Sequence, residues 1–206
     1  MEVSSARPNV CCKSSRDEPK GHPMLKLALY GLSGVGKSTT STLIGRLCCQ
    51  RGMTFEVVKI AEPLYRMQRD IYARLGRRIS PHQQDQLLLR ALADQIRRIE
   101  PSFLAGDFLR RVDQSMAAAI VNDDLKDVDF DYPRLVQAGF RFVRITCREE
   151  TRARRLSGRA DLTQAPETSQ TWDFGRIQPD WEVDNTEDGE DALVEKLSQL
   201  LARWVK

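Results

Sequence analysis

The sequence predicts an α/β protein in which a parallel sheet of about five strands is covered by helices on both faces. Three observations lead to this expectation. Apolar, strand-like runs alternate with longer stretches of helical periodicity along most of the chain. A glycine-rich turn connects the first strand to the first helix. The last helical stretch carries its apolar residues on one face, as a helix packed against a sheet does.

Five short apolar runs are the predicted strands, and each is followed by glycine, polar or charged residues that typically form turns. Parallel strands are joined by helical crossovers, and ligands of such sheets bind at the carboxyl ends of the strands. In chain order, the predicted strands span residues 25–30, 55–60, 117–121, 140–146 and 181–183.

The stretches between and after these strands show the spacing of three or four residues that is typical of helices. In the last one, Leu193, Leu197, Leu200 and Trp204 repeat on one face, which indicates core packing rather than a surface for a partner. The predicted helices span residues 39–51, 64–75, 81–99, 108–116, 131–137, 150–156 and 191–205.

The first residues of the chain differ in composition from the rest. Residues 1–23 mix Ser, Pro, Lys, Arg, Asp and Glu with few apolar residues, so we expect a flexible leader. Residues 24–206 are long enough to form one domain with a well-buried core. We therefore expect a leader followed by a single domain.

Charge and cysteine usage limit the classes of function. A net charge of +3 and a pI near 8.6 are only mildly basic, which argues against a dedicated nucleic-acid-binding protein. No apolar run approaches the length of a membrane span. The five cysteines form two adjacent pairs and one single residue, a pattern expected of reduced thiols in the cytoplasm. The expected partner is a small-molecule substrate. The sequence is compatible with both a monomer and a homodimer.

The most informative motif lies between the first predicted strand and the first predicted helix. The run from Gly31 to Ser38 has the spacing glycine, four residues, Gly-Lys-Ser. Glycines allow backbone N–H groups to converge on phosphates, a lysine ammonium neutralises the β- and γ-phosphates, and a serine hydroxyl ligates Mg²⁺. The alternative is a glycine-rich turn that binds nothing. The predicted nucleotide-binding residues are Gly31, Ser33, Gly34, Val35, Gly36, Lys37, Ser38 and Thr39.

Two carboxylates, Asp123 and Asp124, follow the third predicted strand. An acidic residue that leaves a buried strand beside a phosphate-binding loop commonly holds the Mg²⁺. The alternative is a pair of acidic turn residues that cap the next segment. The sequence predicts one of the two as the magnesium-side carboxylate and does not choose between them.

A group of arginines follows the fourth predicted strand. Arg148, Arg152, Arg155 and Arg159 recur three or four residues apart, so they share one face of a helix. A phosphoryl transferase needs such cations because negative charge spreads over the transferred group and its neighbours. The alternatives are a solvated basic helix and an RNA-facing patch.

With these motifs, the chain resembles the nucleoside monophosphate kinase branch of the P-loop kinases, most of all the deoxynucleoside monophosphate kinase group. The segment 155–159, Arg-Leu-Ser-Gly-Arg, is similar to the lid of such kinases. The resemblance implies that Arg155 packs on the adenine and that Arg159 grips phosphates. Residues 181–189 resemble the late strand and loop that border the adenine, which implies that Asn185 belongs to the ATP site.

The same resemblance implies an acceptor region after the second strand, where Glu62, Tyr65 and Arg66 would meet the second substrate. The group typically has an arginine where this chain has Lys126, and lysine loses the planar two-point grip on a phosphate. Three further residues of the following polar helix are candidates for reading a base or a phosphate, although each alone is more often an exposed helix residue: Gln84, Arg90 and Arg97.

The expected function is a Mg·ATP-dependent transfer of the γ-phosphate to a (deoxy)nucleoside monophosphate, giving the diphosphate. ATP and Mg²⁺ are the expected cofactors. The alternatives are a P-loop kinase of another small metabolite, including a phosphorylated one, and a non-catalytic nucleotide-binding protein. The predicted catalytic residues are Lys37, Asp124, Arg155 and Arg159, and the predicted metal ligands are Ser38, Asp123 and Asp124.

Overall fold

The computed structural model describes residues 24–80, 83–164, 173–187 and 189–205, and the predicted leader lies outside them. The strands are β1 (Leu25–Tyr30), β2 (Phe55–Val57), β3 (Ala119–Asn122), β4 (Arg141–Thr146) and β5 (Trp181–Asp184). A single 3₁₀ turn covers Phe174–Arg176. The helices are α1 (Lys37–Gln50), α2 (Glu62–Arg74), α3 (Gln86–Ile99), α4 (Phe103–Asp113), α5 (Asp131–Gln137), α6 (Glu149–Ser157) and α7 (Asp191–Trp204).

The strands form one parallel sheet in the order β2-β3-β1-β4-β5, which confirms the predicted five-stranded parallel sheet. β1 is central: Leu27 is aligned with Val121 of β3 on one side and with Arg141 of β4 on the other. All strands run in the same direction, so their carboxyl ends lie at one edge of the sheet. The segments that follow β1, β3 and β4 therefore begin close together.

Helices cover both faces of the sheet, as predicted. Alternate residues of a strand point to opposite faces. Leu27 and Leu29 of β1 pack in a cluster with α1 and α7, whereas Ala28 and Tyr30 pack in a second cluster with α2, α4 and α5. All four residues have no exposed surface. Burial of one leucine side chain stabilises a fold by about 1.5–3 kcal/mol, so β1 is held firmly from both sides.

The predicted apolar face of the last helix is also confirmed. Leu193, Leu197 and Leu200 of α7 are buried in the cluster with α1. Trp204 packs edge-to-face against Trp181 of β5, with ring centroids 6.3 Å apart. α7 therefore covers β5, the strand at one edge of the sheet.

Several elements differ from their predicted bounds, and the differences at β2, α3 and α4 are larger than two residues. β2 ends at Val57 rather than at residue 60, because the chain turns there toward α2. α3 begins at Gln86 rather than at residue 81, since the Asp85 carboxylate accepts the backbone N–H of Leu88 and caps the helix. Residues 81 and 82 of the predicted helix lie outside the described residues.

The fourth helix was predicted at residues 108–116 and instead runs from Phe103 to Asp113. Gly106 interrupts the helical pattern in the sequence, but Leu104 and Ala105 are buried against the core and extend the helix toward its N-terminus. At the other end, Met116 is 91% exposed and gives the helix no core contact. In the part of the chain that the structure describes, no helix is both long and apolar enough to cross a membrane.

Candidate active site

A tight glycine-containing loop connects β1 to α1 at the carboxyl edge of the sheet. Gly31 and Gly36 have φ angles of 141° and 98°, which side chains rarely allow. A Cβ atom on Gly31 would lie 2.3 Å from the Ile145 carbonyl oxygen, and one on Gly36 would lie 2.2 Å from Asn185 Nδ2. Backbone conformation and packing both require glycine at these two positions.

The first turn of α1 opens directly out of this loop. Ser38 and Thr39 are exposed there, and the N–H of Thr40 donates to the Gly36 carbonyl over 2.9 Å. The N–H groups at a helix N-terminus have no acceptor within the helix, and the helix dipole makes this end positive. Loop and helix together therefore present a site suited to an anion such as a phosphate chain.

The Lys37 side chain folds back over the loop. Its Nζ donates to the carbonyl oxygen of Gly31 over 2.8 Å and to that of Leu32 over 3.0 Å. These two hydrogen bonds place the ammonium beside the space in front of the loop. A phosphate in that space could exchange with the carbonyls as the partner of the ammonium, since charge-assisted contacts are the stronger ones.

Asn185 ties three parts of the site together, although it lies 150 positions from the loop. Its backbone N–H donates to the Thr146 carbonyl, and its side-chain Nδ2 donates to the Val35 carbonyl, each over 2.8 Å. Its own carbonyl accepts a hydrogen bond from Arg155 Nη1 at 3.0 Å. Asn185 is 6% exposed, so these bonds fix the loop against the ends of β4 and β5.

A cavity of about 230 Å³ opens beside Asn185. Its walls include Gly36 and Thr39 from the loop and α1, Arg155 from α6, and Leu193 from α7. The cavity therefore extends from the glycine-containing loop to the start of α7, where Glu190 and Leu193 line it. This is the place where the resemblance implies the adenine.

The two acidic residues after β3 have different surroundings, and Asp123 is the one bound by a cation. Its side chain is 3% exposed, and its Oδ1 lies 2.6 Å from Lys59 Nζ. Burial alone would lower the pKa of Lys59, but the carboxylates of Asp123 and Asp124 raise it above its ordinary value. Lys59 is therefore a charged partner of Asp123, and the sequence analysis did not identify it.

Asp124 holds the turn between β2 and α2. Its Oδ1 accepts the N–H of Ile60 at 2.9 Å and its Oδ2 accepts the N–H of Ala61 at 3.0 Å. Asn122 Nδ2 also donates to Oδ1, over 2.6 Å. Burial raises the pKa of Asp124 above its ordinary value, against the opposite effect of Lys59. Both carboxylate oxygens are thus engaged by the fold.

The predicted metal ligands can be compared with what Mg²⁺ requires. Ser38 offers a hydroxyl and Asp123 a carboxylate, and both are oxygen ligands that Mg²⁺ prefers. Among the described residues, no group of three or more His, Cys, Asp or Glu side chains is arranged to hold a metal ion. A magnesium ion at this site would therefore take most of its ligands from phosphates and water.

The predicted lid arginines lie on α6 and just beyond it. Arg155 reaches the Asn185 carbonyl, on the side of the glycine-containing loop. Arg159 follows the end of α6, and its Nε lies 3.5 Å from Asp161 Oδ2. Burial raises the pKa of Tyr65 on α2 well above its ordinary value, and the guanidinium of Arg159 acts in the opposite direction.

Arg152 is a further arginine in contact with the loop. Its Nη1 donates to the Ser33 carbonyl over 3.3 Å, and its Nη2 lies 2.7 Å from a Glu149 carboxylate oxygen. Its side chain is 13% exposed, and a Cβ atom on Gly34 would lie 3.1 Å from the Arg152 carbonyl oxygen. The helical spacing of the arginines placed Arg152 on the same face as Arg155, but it did not indicate this contact.

The segment after α6 is bonded to the start of α3. The N–H of Leu162 donates to the Gln84 carbonyl over 2.8 Å, and Gln86 Nε2 donates to Asp161 Oδ2 over 2.7 Å. The Thr163 hydroxyl donates to the Asp85 carboxylate, and the two residues form an isolated parallel bridge. Residues 155–163, the lid segment, therefore run from α6 to the start of α3.

The residues predicted to meet the acceptor lie on the β2 side of this edge. Glu62 accepts hydrogen bonds from Arg66 Nε at 3.1 Å and from Arg69 Nη2 at 3.4 Å, and Arg66 is largely exposed. Tyr65 is half-buried near Asp124, and Lys126 is half-buried after β3. The structure thus places Glu62, Tyr65 and Lys126 near the acidic residues.

The two arginines predicted on α3 have contrasting positions. Arg90 is exposed. Arg97 is 17% exposed and pairs with Asp127 at 3.1 Å and with Asp131 at 2.8 Å. Burial raises the pKa of Asp131 to about 6, against the opposite effect of Arg97. The charge of Arg97 is thus compensated within the fold.

Comparison with known proteins identifies the fold. No protein-family model and no curated protein sequence matches this chain. Among solved structures, a shikimate kinase from Bacteroides thetaiotaomicron has a TM-score of 0.51 at 13% identity, over 89% of this chain and 99% of that one. A shikimate kinase from Acinetobacter baumannii in complex with shikimate has a TM-score of 0.50 at 15% identity, over 89% and 96%.

An APS kinase from Mycobacterium tuberculosis, in complex with AMPPNP and APS, is also similar. Its TM-score is 0.47 at 17% identity, over 87% of this chain and 99% of that one. At these identities the likeness concerns the fold alone, and the fold is the P-loop kinase fold. The solved structures described here support that fold without supporting the narrower resemblance to deoxynucleoside monophosphate kinases.

Proposed function

We propose that this protein is a Mg·ATP-dependent kinase that transfers the γ-phosphoryl group of ATP to a small anionic metabolite. One observation supports this most strongly. The open N-terminus of α1, the glycine-containing loop, Asn185 and Arg155 converge on one space at the carboxyl edge of the sheet. Gly31 and Gly36 have backbone conformations and neighbours that exclude a side chain, and the buried Asn185 packs against Gly36. A turn that binds nothing would not need these features.

The donor residues have separate roles in this proposal. The backbone N–H groups between Gly34 and Thr39 would surround the β- and γ-phosphates. The Lys37 ammonium would leave the loop carbonyls. It would then neutralise the negative charge that develops between the β- and γ-phosphates during transfer. Arg155, already fixed on Asn185, would pack beside the adenine in the cavity that it lines.

The residues present fit a magnesium ion by the type of their oxygen atoms. We assign the metal side to Ser38 and Asp123, because both oxygens of Asp124 are occupied by backbone N–H groups. When bound, magnesium neutralises charge on the β- and γ-phosphate oxygens. Asp124 would then contribute by holding the turn that carries Lys59 and Glu62 in place.

The lid favours transfer over hydrolysis in this proposal. Arg159 pairs with Asp161 and acts electrostatically on Tyr65, and in this proposal it would bridge the charges of donor and acceptor. The lid segment is bonded to the start of α3, and in this proposal it would cover the space between the two substrates. Exclusion of water from that space leaves the acceptor as the nucleophile.

Two classes of acceptor fit the proposal, a nucleoside monophosphate and a non-nucleotide metabolite, and different observations favour each. The lid sequence 155–159 favours a nucleoside monophosphate. A non-nucleotide metabolite is favoured by the compensated charge of Arg97 and the exposure of Arg90, which leave fewer cations for a nucleotide phosphate. The shared fold with two shikimate kinases supports the second class. Glu62, Tyr65, Arg66 and Lys126 are the proposed acceptor contacts in either case.

The experiment measures phosphate transfer from γ-labelled ATP to a panel of nucleoside monophosphates, deoxynucleotides, sugar acids, hydroxy acids and phosphorylated metabolites. We expect transfer to one acceptor class, and Lys37→Met should lower kcat/KM by about 10²–10³. Lys26→Met is the matched control: its ammonium donates to the Ala138 carbonyl over 3.1 Å, away from the carboxyl edge. ATP binding without transfer to any acceptor would favour a non-catalytic nucleotide-binding protein, and absence of ATP binding would refute the proposal.

A further inference from the structure

Lys59 forms an ion pair with Asp123 in which the carboxylate is buried and the lysine side chain is partly exposed. Its Nζ lies 2.6 Å from Asp123 Oδ1. The Asp123 side chain is 3% exposed, whereas that of Lys59 is 35% exposed. The carboxylate is therefore fixed within the fold, and the ammonium reaches it from the solvent side.

The backbone of Lys59 is held independently of its side chain. Arg111 Nη2 donates to the Lys59 carbonyl over 2.7 Å, and Arg111 is in turn held by Asp107 at 2.8 Å. On the preceding residue, the Val58 carbonyl accepts a hydrogen bond from Asn122 Nδ2 at 3.1 Å. Rotation about the side-chain bonds of Lys59 can thus move its ammonium while the end of β2 stays in place.

The carboxylate of Asp123 would have two cationic partners during the proposed reaction. A buried carboxylate without a cation is costly, so Lys59 stabilises the ligand-free protein. If Asp123 also serves the metal side, magnesium and the ammonium repel each other at the same carboxylate. The doubly charged ion competes more strongly for it.

We propose that Lys59 is a displaceable counter-ion: it neutralises Asp123 in the ligand-free protein, is released when Mg-nucleotide binds, and then pairs with the anionic group of the acceptor. This inference rests on the proposed function. Lys59 lies three residues before Glu62, where α2 and the proposed acceptor contacts begin. A released ammonium therefore remains on the acceptor side of Asp123.

The first test measures how fast acetic anhydride modifies the Lys59 amine, by mass spectrometry of the wild-type protein. We expect slow modification in the ligand-free protein and in ADP with EDTA, and at least threefold faster modification in Mg·ADP. The peptide with Lys26 is the internal control, because its rate should be the same in all three conditions. Equal protection of Lys59 with and without Mg·ADP overturns the proposal.

The second test uses two substitutions with opposite expected effects. The Mg²⁺ concentration that gives half of the thermal stabilisation by ADP is measured for wild type, Lys59→Met, Lys59→Arg and Lys26→Met. Lys59→Met should lower this concentration by about three- to tenfold, since the competing cation is gone. Lys59→Arg should raise it, because a guanidinium binds a carboxylate at two points. Lys26→Met should match wild type.

The outcomes separate this inference from the proposed function. If Mg·ADP stabilises the wild-type protein but neither Lys59 variant changes the required Mg²⁺ concentration, Lys59 is a structural ion pair and the inference is wrong. If Lys59→Met does not fold, the Lys59→Arg result and the labelling result decide alone. If Mg·ADP gives no stabilisation of the wild-type protein at any magnesium concentration, the proposed function fails and the inference fails with it.

Discussion

In the proposed function, the site has a donor half, made of residues 31–39 with Arg155 and Asn185, and an acceptor half, made of residues 59–66, 84–97 and 123–126. The centre of the donor half is one continuous loop, residues 31–39, whose glycines need their backbone conformation and packing and which Asn185 holds by a hydrogen bond. The acceptor half collects side chains from the ends of β2 and β3 and from α2 and α3, and ion pairs hold it. The backbone geometry of the donor half permits few other residues or conformations. The ion pairs of the acceptor half, by contrast, can exchange partners. The donor half therefore fixes the kind of chemistry, and the acceptor half can be adapted to different substrates.

In the proposed function Arg159 bridges the two halves, so its removal should have the largest effect. We expect Arg159→Ala to lower kcat by about 10²–10³, because the contact stabilises charge chiefly in the transition state. The Kd of ATP should change by less than about threefold. Steady-state kinetics and calorimetric titration measure the two quantities.

Arg154→Ala is the matched control for this experiment, since Arg154 is an exposed arginine on α6, five residues before Arg159. It should leave kcat within about twofold of wild type. If Arg159→Ala weakens ATP binding and leaves kcat unchanged at saturation, Arg159 belongs to the donor half alone.

The loss of Asp124 should mainly lower the stability of the protein, whereas the loss of Asp123 should mainly weaken its use of magnesium. Asp124→Asn should lower the free energy of unfolding by about 1–3 kcal/mol, because the new amide nitrogen cannot accept an N–H from the turn at Ile60 and Ala61. Asp123→Asn should cost less stability, since the Lys59 ammonium is partly exposed and can be hydrated. It should instead raise the magnesium concentration that ADP binding requires.

Urea unfolding and magnesium titration of both variants test this contrast. If Asp123→Asn is the more destabilising of the two, the assignment of structural and metal-side roles must be reversed. If both variants lose magnesium dependence equally, the two carboxylates act as a pair.

The contact between the lid segment and α3 should give the smallest effect. Thr163→Val keeps the shape of the side chain but removes the hydroxyl that donates to Asp85 and accepts the N–H of Leu87. We expect a loss of about 0.5–1.5 kcal/mol in the free energy of unfolding and faster proteolysis of the lid segment. The KM of the acceptor should rise while the Kd of ATP stays constant.

Ser157→Ala is the control, because its hydroxyl donates to the Arg154 carbonyl within the lid region and not to α3. If both variants are cleaved at the same rate as wild type, the bridge to α3 does not hold the lid segment.

The fold could be predicted from the sequence because each strand and helix is a local pattern. The loop from Gly31 to Ser38 could be predicted for the same reason, since its residues are adjacent and each serves one physical need. The start of α4 could not, because Leu104 and Ala105 are helical through burial against the core and not through their own spacing.

The roles of Lys59 and Asp124 were not visible in the sequence. The Lys59–Asp123 pair spans 64 positions and exists because β2 lies next to β3 in the sheet. The sequence predicts that both strands exist, but not their order or alignment. For the same reason it could not show that both oxygens of Asp124 would be bound by the turn after β2.

The hydrogen bond from Asn185 to the Val35 carbonyl has a consequence for biosynthesis. The two residues are 150 positions apart. At about 5–20 residues per second, translation places roughly 8–30 s between their appearance. Until β5 and the asparagine that follows it leave the ribosome, the glycine-containing loop lacks the hydrogen bond to Val35 that fixes it. Nucleotide binding, which stabilises only the folded form, therefore cannot assist the stages of folding that precede the synthesis of β5.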